Sequence, residues 1–446
     1  MDATRKGGIV IVNVKVIDAP CGTGKTSWAI QEMSEHTERN YVYCTPFLSE
    51  IDRVRNACGL DRFTEPVGIT GAKISDFNQL LSRSECIAVT HTTFLNGTQE
   101  TLDGIREGEY TLILDEVLDV VTDFNRLQTV DDAPCQSISK ADFKMLEEHG
   151  LIQVQENYKV AWIGGDYDGG EFKFSEVKRL ADLGRLYHVR DSLLIAVFPP
   201  EIFNEFKEIY LLTYLFDGSF LRAYFDLFGI QYEVLSVGNN SGKYKLTDYS
   251  AATDLAFRSK CKELIHVYEG KRNRGGRSLS VNWFKGASKG DYAQLRNDLH
   301  NFLIVFCGAR SRDMMWTCPQ DYSNRIAPRG CKQVRSLTDF ERKLPERARM
   351  LIKRLTSCFV SCNARATNDF GDRWALAYCL NMYPNTMLEG FFRDSGITID
   401  RDAYALSSLI QWIFRSRVRN GLPVVLYLPS SRMRILFNRW LDGEFA

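Results

Sequence analysis

The stretch DAPCGTGKTS, Asp18 to Ser27, constrains the fold more than any other part of the chain. A phosphate-binding loop runs G-x-x-x-x-G-K-[ST], because backbone N–H groups must converge on a phosphate at a helix N-terminus while Lys supplies charge and Ser/Thr holds Mg²⁺. Gly22, Gly24, Lys25 and Thr26 fill the positions that carry those tasks, and Ala19 stands where the first glycine is usual. That position only starts the turn out of a strand, so a small residue suffices. The context is right for such a loop. The apolar run IVIVNVKVIDAP reads as a buried strand, and KTSWAIQEMSEH carries Trp28, Ile30 and Met33 at helical spacing. Ala19, Pro20, Cys21, Gly22, Thr23, Gly24, Lys25, Thr26 and Ser27 are therefore the expected nucleotide contacts; the competing reading is a Gly-rich turn capped by a lysine.

A second run, YTLILDEVLDVV, ends an apolar strand in Asp115 and Glu116. Beside a phosphate loop such a pair has a defined use: the aspartate positions Mg²⁺ and the glutamate polarises the attacking water. Two further strand-to-loop transitions end in hydroxyl-rich segments, Thr45-Pro46 and Thr90-His91-Thr92. In a parallel sheet all these ends emerge on one edge, where ligands bind, and hydroxyls there suit phosphate contacts. For His91 a hydrogen-bonded structural histidine and a functional one stay equally open.

At 446 residues, with 44% hydrophobic and 25% charged residues, the chain is expected to form two or three domains. No apolar run is long enough to cross a bilayer, and MDATRKGGIVIV lacks a secretory pattern. A cytoplasmic location is expected, host cytoplasm if the chain is viral. Twelve cysteines without paired spacing point to buried thiols rather than a zinc or disulfide framework. The formal net charge is zero, yet residues 1–250 carry 24 Lys/Arg against 38 Asp/Glu and residues 251–446 carry 32 against 18. A basic second half can hold a phosphate backbone; it can equally attract the acidic half. The loop EGKRNRGGRSLS, with Lys271, Arg272, Arg274 and Arg277, has the same two readings, as a phosphate track or as a solvated surface loop. The stretch SVGNNSGKYKLTD (236–248) reads as a linker.

This order of motifs resembles superfamily 2 helicases and translocases. APCGTGKT is similar to their motif I, YCTPFLSE to motif Ia, VTHTTF to motif Ib and LILDEV to the DExx-box motif II; YLLTYLFDGS, with Thr213, Tyr214 and Ser219, stands in the place of motif III. The resemblance implies an α/β fold of two RecA-like P-loop NTPase lobes, parallel sheets flanked by helices, at 1–245 and 246–446, with an acidic insertion at 123–205 in the first. In the second lobe, NFLIVFCGA (301–309) and SCFVSCNARATND (357–369) read as strands, and by position Asn363, Arg365, Thr367 and Asn368 would lie on the nucleic acid or at the cleft. ALSSLIQWIFRSRVRNG resembles motif VI, which implies that Gln411 touches the nucleotide and that Arg415, with Arg417 or Arg419, reaches the γ-phosphate. The plainer reading places those arginines at a helix C-terminus to complement its dipole.

The resemblance extends to small DEAD-like helicases of bacteriophages and mobile elements. It implies Mg²⁺ and an NTP, ATP first, as cofactors, and single- or double-stranded nucleic acid as partner, DNA favoured, in replication or recombination. The residues before Lys25 are too few for the upstream adenine clamp of the DEAD-box branch, which favours a translocating relative. The alternative is a packaging or remodelling ATPase that docks a protein partner through the acidic insertion.

Overall fold

The structure, a computed structural model, describes residues 14–68, 73–127, 137–156, 158–167, 173–190, 193–273, 277–329, 343–345, 348, 358–362 and 370–444. The fold is α/β, with parallel sheets flanked by helices. The chain divides into two compact units. The first comprises Met1–Ala19, Gly24–Asp248 and Asn385–Ile399; the second comprises Pro20–Thr23, Tyr249–Pro384 and Asp400–Ala446.

In the first unit, β1 (Val14–Asp18) is followed by helix α1 (Lys25–Glu35), then β2 (Tyr41–Thr45), β3 (Phe63–Thr64), β4 (Cys86–Thr90) and β5 (Thr111–Asp115). The inserted region holds β6 (Val121–Asp123), β7 (Ile152–Val154), β8 (Val160–Trp162), β9 (Leu186–Val189) and β10 (Leu193–Val197), after which the chain returns through β11 (Glu208–Thr213), β12 (Tyr232–Asn240) and β13 (Lys243–Asp248). The main sheet runs β13-β12-β1-β11-β5-β2-β4-β3, parallel throughout except for the β12–β13 pair. Buried strands of such a sheet need apolar residues on both faces. Val14 and Val16 of β1 enter one core with Leu112 and Leu114 of β5, while Ile17 enters the other with Ile113 and Tyr43.

The register brings two motif ends together. Asp18 lies opposite Thr213 on β11, and Leu212 lies opposite Asp115 on β5. The phosphate loop and the acid pair thus leave the same sheet edge with one strand between them.

The insertion builds its own core from Phe124, Phe143, Leu146, Ile152, Val177 and Leu186, among others. Around it stand the antiparallel sheet β6-β10-β9, the β7–β8 hairpin, and helices Lys140–Glu148 and Ser175–Asp182. Its buried Arg185 donates to the Leu95 and Gly97 carbonyls. That ties the insertion to the turn ending the short helix His91–Leu95.

The second unit carries the parallel sheet β14-β17-β16-β15, with β14 at Ile265–Val267, β15 at Met314–Thr317, β16 at Ala375–Tyr378 and β17 at Val424–Tyr427. Leu295, Leu299, Phe302, Trp316 and Tyr427 anchor its core.

Four sequence expectations change. The stretch 236–248 is not a linker but most of the β12–β13 hairpin; Ser241 and Gly242 hold φ of 53° and 88°, the left-handed pair that a two-residue hairpin turn requires. NFLIVF is not a strand: Asn301–Phe306 continues the helix Lys289–His300 as a π-helical turn, since a short apolar run has no period that separates strand from buried helix. Residues 385–399 follow the second half in sequence, yet Leu388, Phe392 and Ile399 bury in the first unit's core, and Asp394 accepts two bonds from Arg190. The unit boundary falls at Asp248/Tyr249 where 245/246 was expected.

Candidate nucleotide site

Gly22 and Gly24 hold φ of 84° and 100°, the left-handed conformation that bends the loop, whereas Ala19 has no positive φ and is completely buried. The first glycine of the pattern is therefore dispensable here, and Ala19 serves as core. Cys21 and Thr23 to Ser27 remain partly exposed and Gly22 is exposed. The Thr23 hydroxyl donates to the Pro20 carbonyl at 2.8 Å, and Lys25 Nζ donates to the Ala19 carbonyl. Lys25 thus stays folded along the loop that it would serve, at the N-terminus of α1, where backbone N–H groups favour an anion.

Asp115 ends β5 almost buried, 8% exposed, and accepts a 2.6 Å hydrogen bond from Tyr43 Oη on β2. Burial pushes its carboxyl up to about 7; Glu116 adds to the rise, and Tyr43 and the Lys25 charge oppose it. A carboxylate that is costly to ionise in isolation becomes favourable beside a divalent cation. Thr26, the second residue of α1, is partly exposed. Glu116 has φ of 70°, an uncommon conformation for a residue with a side chain, and its N–H donates to the Leu212 carbonyl at 2.9 Å. Strain of this kind persists where the surrounding structure enforces it, and clusters at functional sites.

Two residues to which the sequence assigns no role organise this edge. Tyr43 is one; Asp18 is the other. The Asp18 carboxylate accepts from the Leu215 and Phe216 N–H groups at 2.8 and 3.0 Å. Burial raises its pKa, and those two bonds with the Lys25 charge oppose the rise. It fastens the turn after β11 to the strand that launches the phosphate loop. Neither role shows in the sequence, because each contact depends on sheet register; the only local signal is a polar residue at the end of an apolar strand.

The other expected residues separate. His91 is 7% exposed and its Nε2 lies 3.0 Å from the Asp115 carbonyl, so it braces the acid turn. Thr90 caps the helix it precedes by accepting from Thr93 N–H, and Thr92 and Pro46 stay partly exposed. Thr45 is completely buried; it is part of the core and offers no surface to a strand. Arg365 and Thr367, with Asn363 and Asn368, lie outside the described residues.

In the second unit, the helix Arg401–Ile413 ends before the arginines. Arg415 is 4% exposed, and its guanidinium donates to the Ser361 and Cys362 carbonyls at 3.0 and 3.4 Å. That corrects its expected use as the arginine presented to a phosphate: its charge serves the unit's interior. Arg417 Nε donates to the Pro423 carbonyl at 2.6 Å. Arg419 is exposed on the 3₁₀ turn Arg417–Asn420, and Gln411 is partly exposed. Of the basic loop, Arg272 and Arg277 both pair with the nearly buried Asp298, at 3.2 and 2.9 Å, which favours a structural role for these two; Arg274 lies outside the described residues.

No described helix is long and apolar enough to cross a membrane. Residues 135–196 match a family model described as the YonV middle domain, and residues 259–441 match one described as the YonV C-terminal Rossmann-like domain. The SPbeta prophage-derived protein YonV of Bacillus subtilis (strain 168) is 32% identical over 447 residues, covering 97% of this chain and 99% of its own length. Among solved structures, an XPD helicase aligns over 98% of this chain and 95% of its own at 13% identity and a TM-score of 0.47. S. tokodaii Xpd4 aligns over 97% and 94% at 12% identity with the same score.

Proposed function

The chain belongs to the YonV family, and we propose that it is an NTP-driven, ATP-using helicase or translocase acting on nucleic acid, with DNA as the favoured substrate. One observation carries the nucleotide half of this reading: the loop with left-handed Gly22 and Gly24 and the Asp115-Glu116 pair leave one sheet edge with a single strand between them. Lys25 and the loop N–H groups would hold the phosphates, and Thr26 and Asp115 would hold Mg²⁺, which neutralises phosphate charge when bound. Glu116, whose backbone is held at its turn by Leu212, would orient and deprotonate water. The motif VI resemblance would make Arg419 the catalytic arginine of the second unit.

The nucleic-acid half rests on the motif resemblance and on the basic balance of residues 251–446. Pro46 follows β2, Thr90 ends β4 and Thr92 lies in the short helix after it, where hydroxyl and backbone groups would suit a phosphodiester chain. Hydrolysis measured side by side with single-stranded DNA, duplex DNA and RNA, across a salt series, tests this half. The expected result is stimulation by DNA that fades as salt rises. Hydrolysis indifferent to all three polymers contradicts it. Unwinding of a tailed duplex by the isolated protein then separates a motor from an ATPase that works only within an assembly.

A further inference from the structure

Neither the loop nor the acid pair accounts for Tyr244, on the hairpin strand β13. A Cβ built on Gly24 would fall 2.2 Å from the Tyr244 ring, so the ring lies directly against the glycine preceding Lys25. Its position is fixed from α1: the Gln31 amide donates to the Tyr244 carbonyl at 3.1 Å, and the Gln31 side-chain carbonyl accepts from the Tyr244 N–H at 2.9 Å. The ring is nevertheless only partly buried. Tyr244 and Leu246 pack against the core that holds Ile17, Trp28 and Val237, while Lys243, Lys245, Thr247 and Asp248 are exposed.

Sheet order says which end of a nucleotide comes this way. On one side of β1 stand β11 and β5, with Asp115 and Glu116; on the other stands the β12–β13 hairpin. A triphosphate seated on the loop with its γ-phosphate toward the acids sends its ribose and base in the opposite direction. That direction leads to Tyr244. We propose that Tyr244 is the stacking platform for the nucleobase of the bound NTP, held ready by Gln31. The inference rests on the nucleotide reading above and adds what that reading lacks, a group that recognises the base rather than the phosphates. With the Gln31 amide already spent on the hairpin backbone, recognition comes from the ring's π-face, which accepts any base.

Calorimetric titration of the full chain with Mg-ATP and, separately, Mg-tripolyphosphate tests this, since tripolyphosphate keeps the phosphates and lacks the base. The variants are Tyr244→Ala, Tyr244→Phe and Tyr244→Leu; leucine retains apolar bulk against Gly24 and guards against a folding defect. Stacking predicts that Tyr244→Ala and Tyr244→Leu weaken ATP about 10- to 100-fold. It also predicts that both leave tripolyphosphate unchanged and that Tyr244→Phe restores ATP binding. Equal loss of both ligands would mark the ring as a prop for the loop and overturn the proposal, as would an undiminished ATP affinity in the alanine and leucine variants. A wild-type chain that binds neither ligand would instead remove the nucleotide site itself.

Discussion

The phosphate loop and the arginine segment 411–421 look alike as sequence, each a short run of chemically suggestive residues at one end of a helix. The structure treats them differently. In the loop, two glycines take left-handed φ and the functional side chains stay partly open to solvent. In the arginine segment, Arg415 goes inside to satisfy two carbonyls, Arg417 satisfies a third, and Arg419 remains exposed. The difference lies in what each residue type commits to. A glycine with positive φ reports a backbone path with few alternative explanations, whereas a guanidinium with five donors serves backbone carbonyls as readily as phosphates.

The largest effect that would sharpen this contrast is on rate. Arg419→Ala is expected to lower hydrolysis about 10³-fold, the low end for a phosphate-directed arginine, with an unchanged melting temperature. Normal turnover in that variant would leave the second unit without its proposed catalytic arginine. Glu116→Gln keeps the shape of the strained turn and is expected to lower turnover about 10²- to 10³-fold while ATP still binds; calorimetry beside a phosphate-release assay reads both.

Arg415→Ala moves stability instead. Two carbonyls lose their buried donor, and the expected cost is about 2 to 4 kcal/mol by denaturant unfolding. A variant as stable as wild type would return Arg415 to the list of functional arginines.

The last effect concerns Asp115 and is read through pH. Its folded pKa of about 7 lies above the ordinary carboxylate value, so its contribution to stability is complete below about pH 4 and is lost as pH rises through 7. Without Mg²⁺, Asp115→Asn, which can still accept from Tyr43, is therefore expected to melt higher than wild type at pH 8 and equally at pH 4. The same substitution should abolish Mg²⁺-dependent hydrolysis. Equal melting at both pH values would mean that Asp115 ionises at its ordinary pKa.

Legibility in the sequence followed the range of the interactions. The loop and the acid pair could be read because each is defined by residues close in sequence. Tyr43 and Asp18 could not, since their partners lie 72 and 197 residues away and are met through register. The β12–β13 hairpin was hidden by polar composition on a solvent-facing strand, with Ser241 rather than Asn or Gly opening its turn. The segment 385–399 was hidden because chain order gives no sign that Leu388 and Phe392 complete another unit's core.

The central claim is that this sheet edge hydrolyses nucleotide through Lys25. Single-turnover hydrolysis of Mg-ATP by wild type and Lys25→Ala, with melting temperatures recorded for both, tests it most directly. The account predicts a fall of at least about 10²-fold in the variant with its fold intact. Equal rates in the two proteins would contradict it.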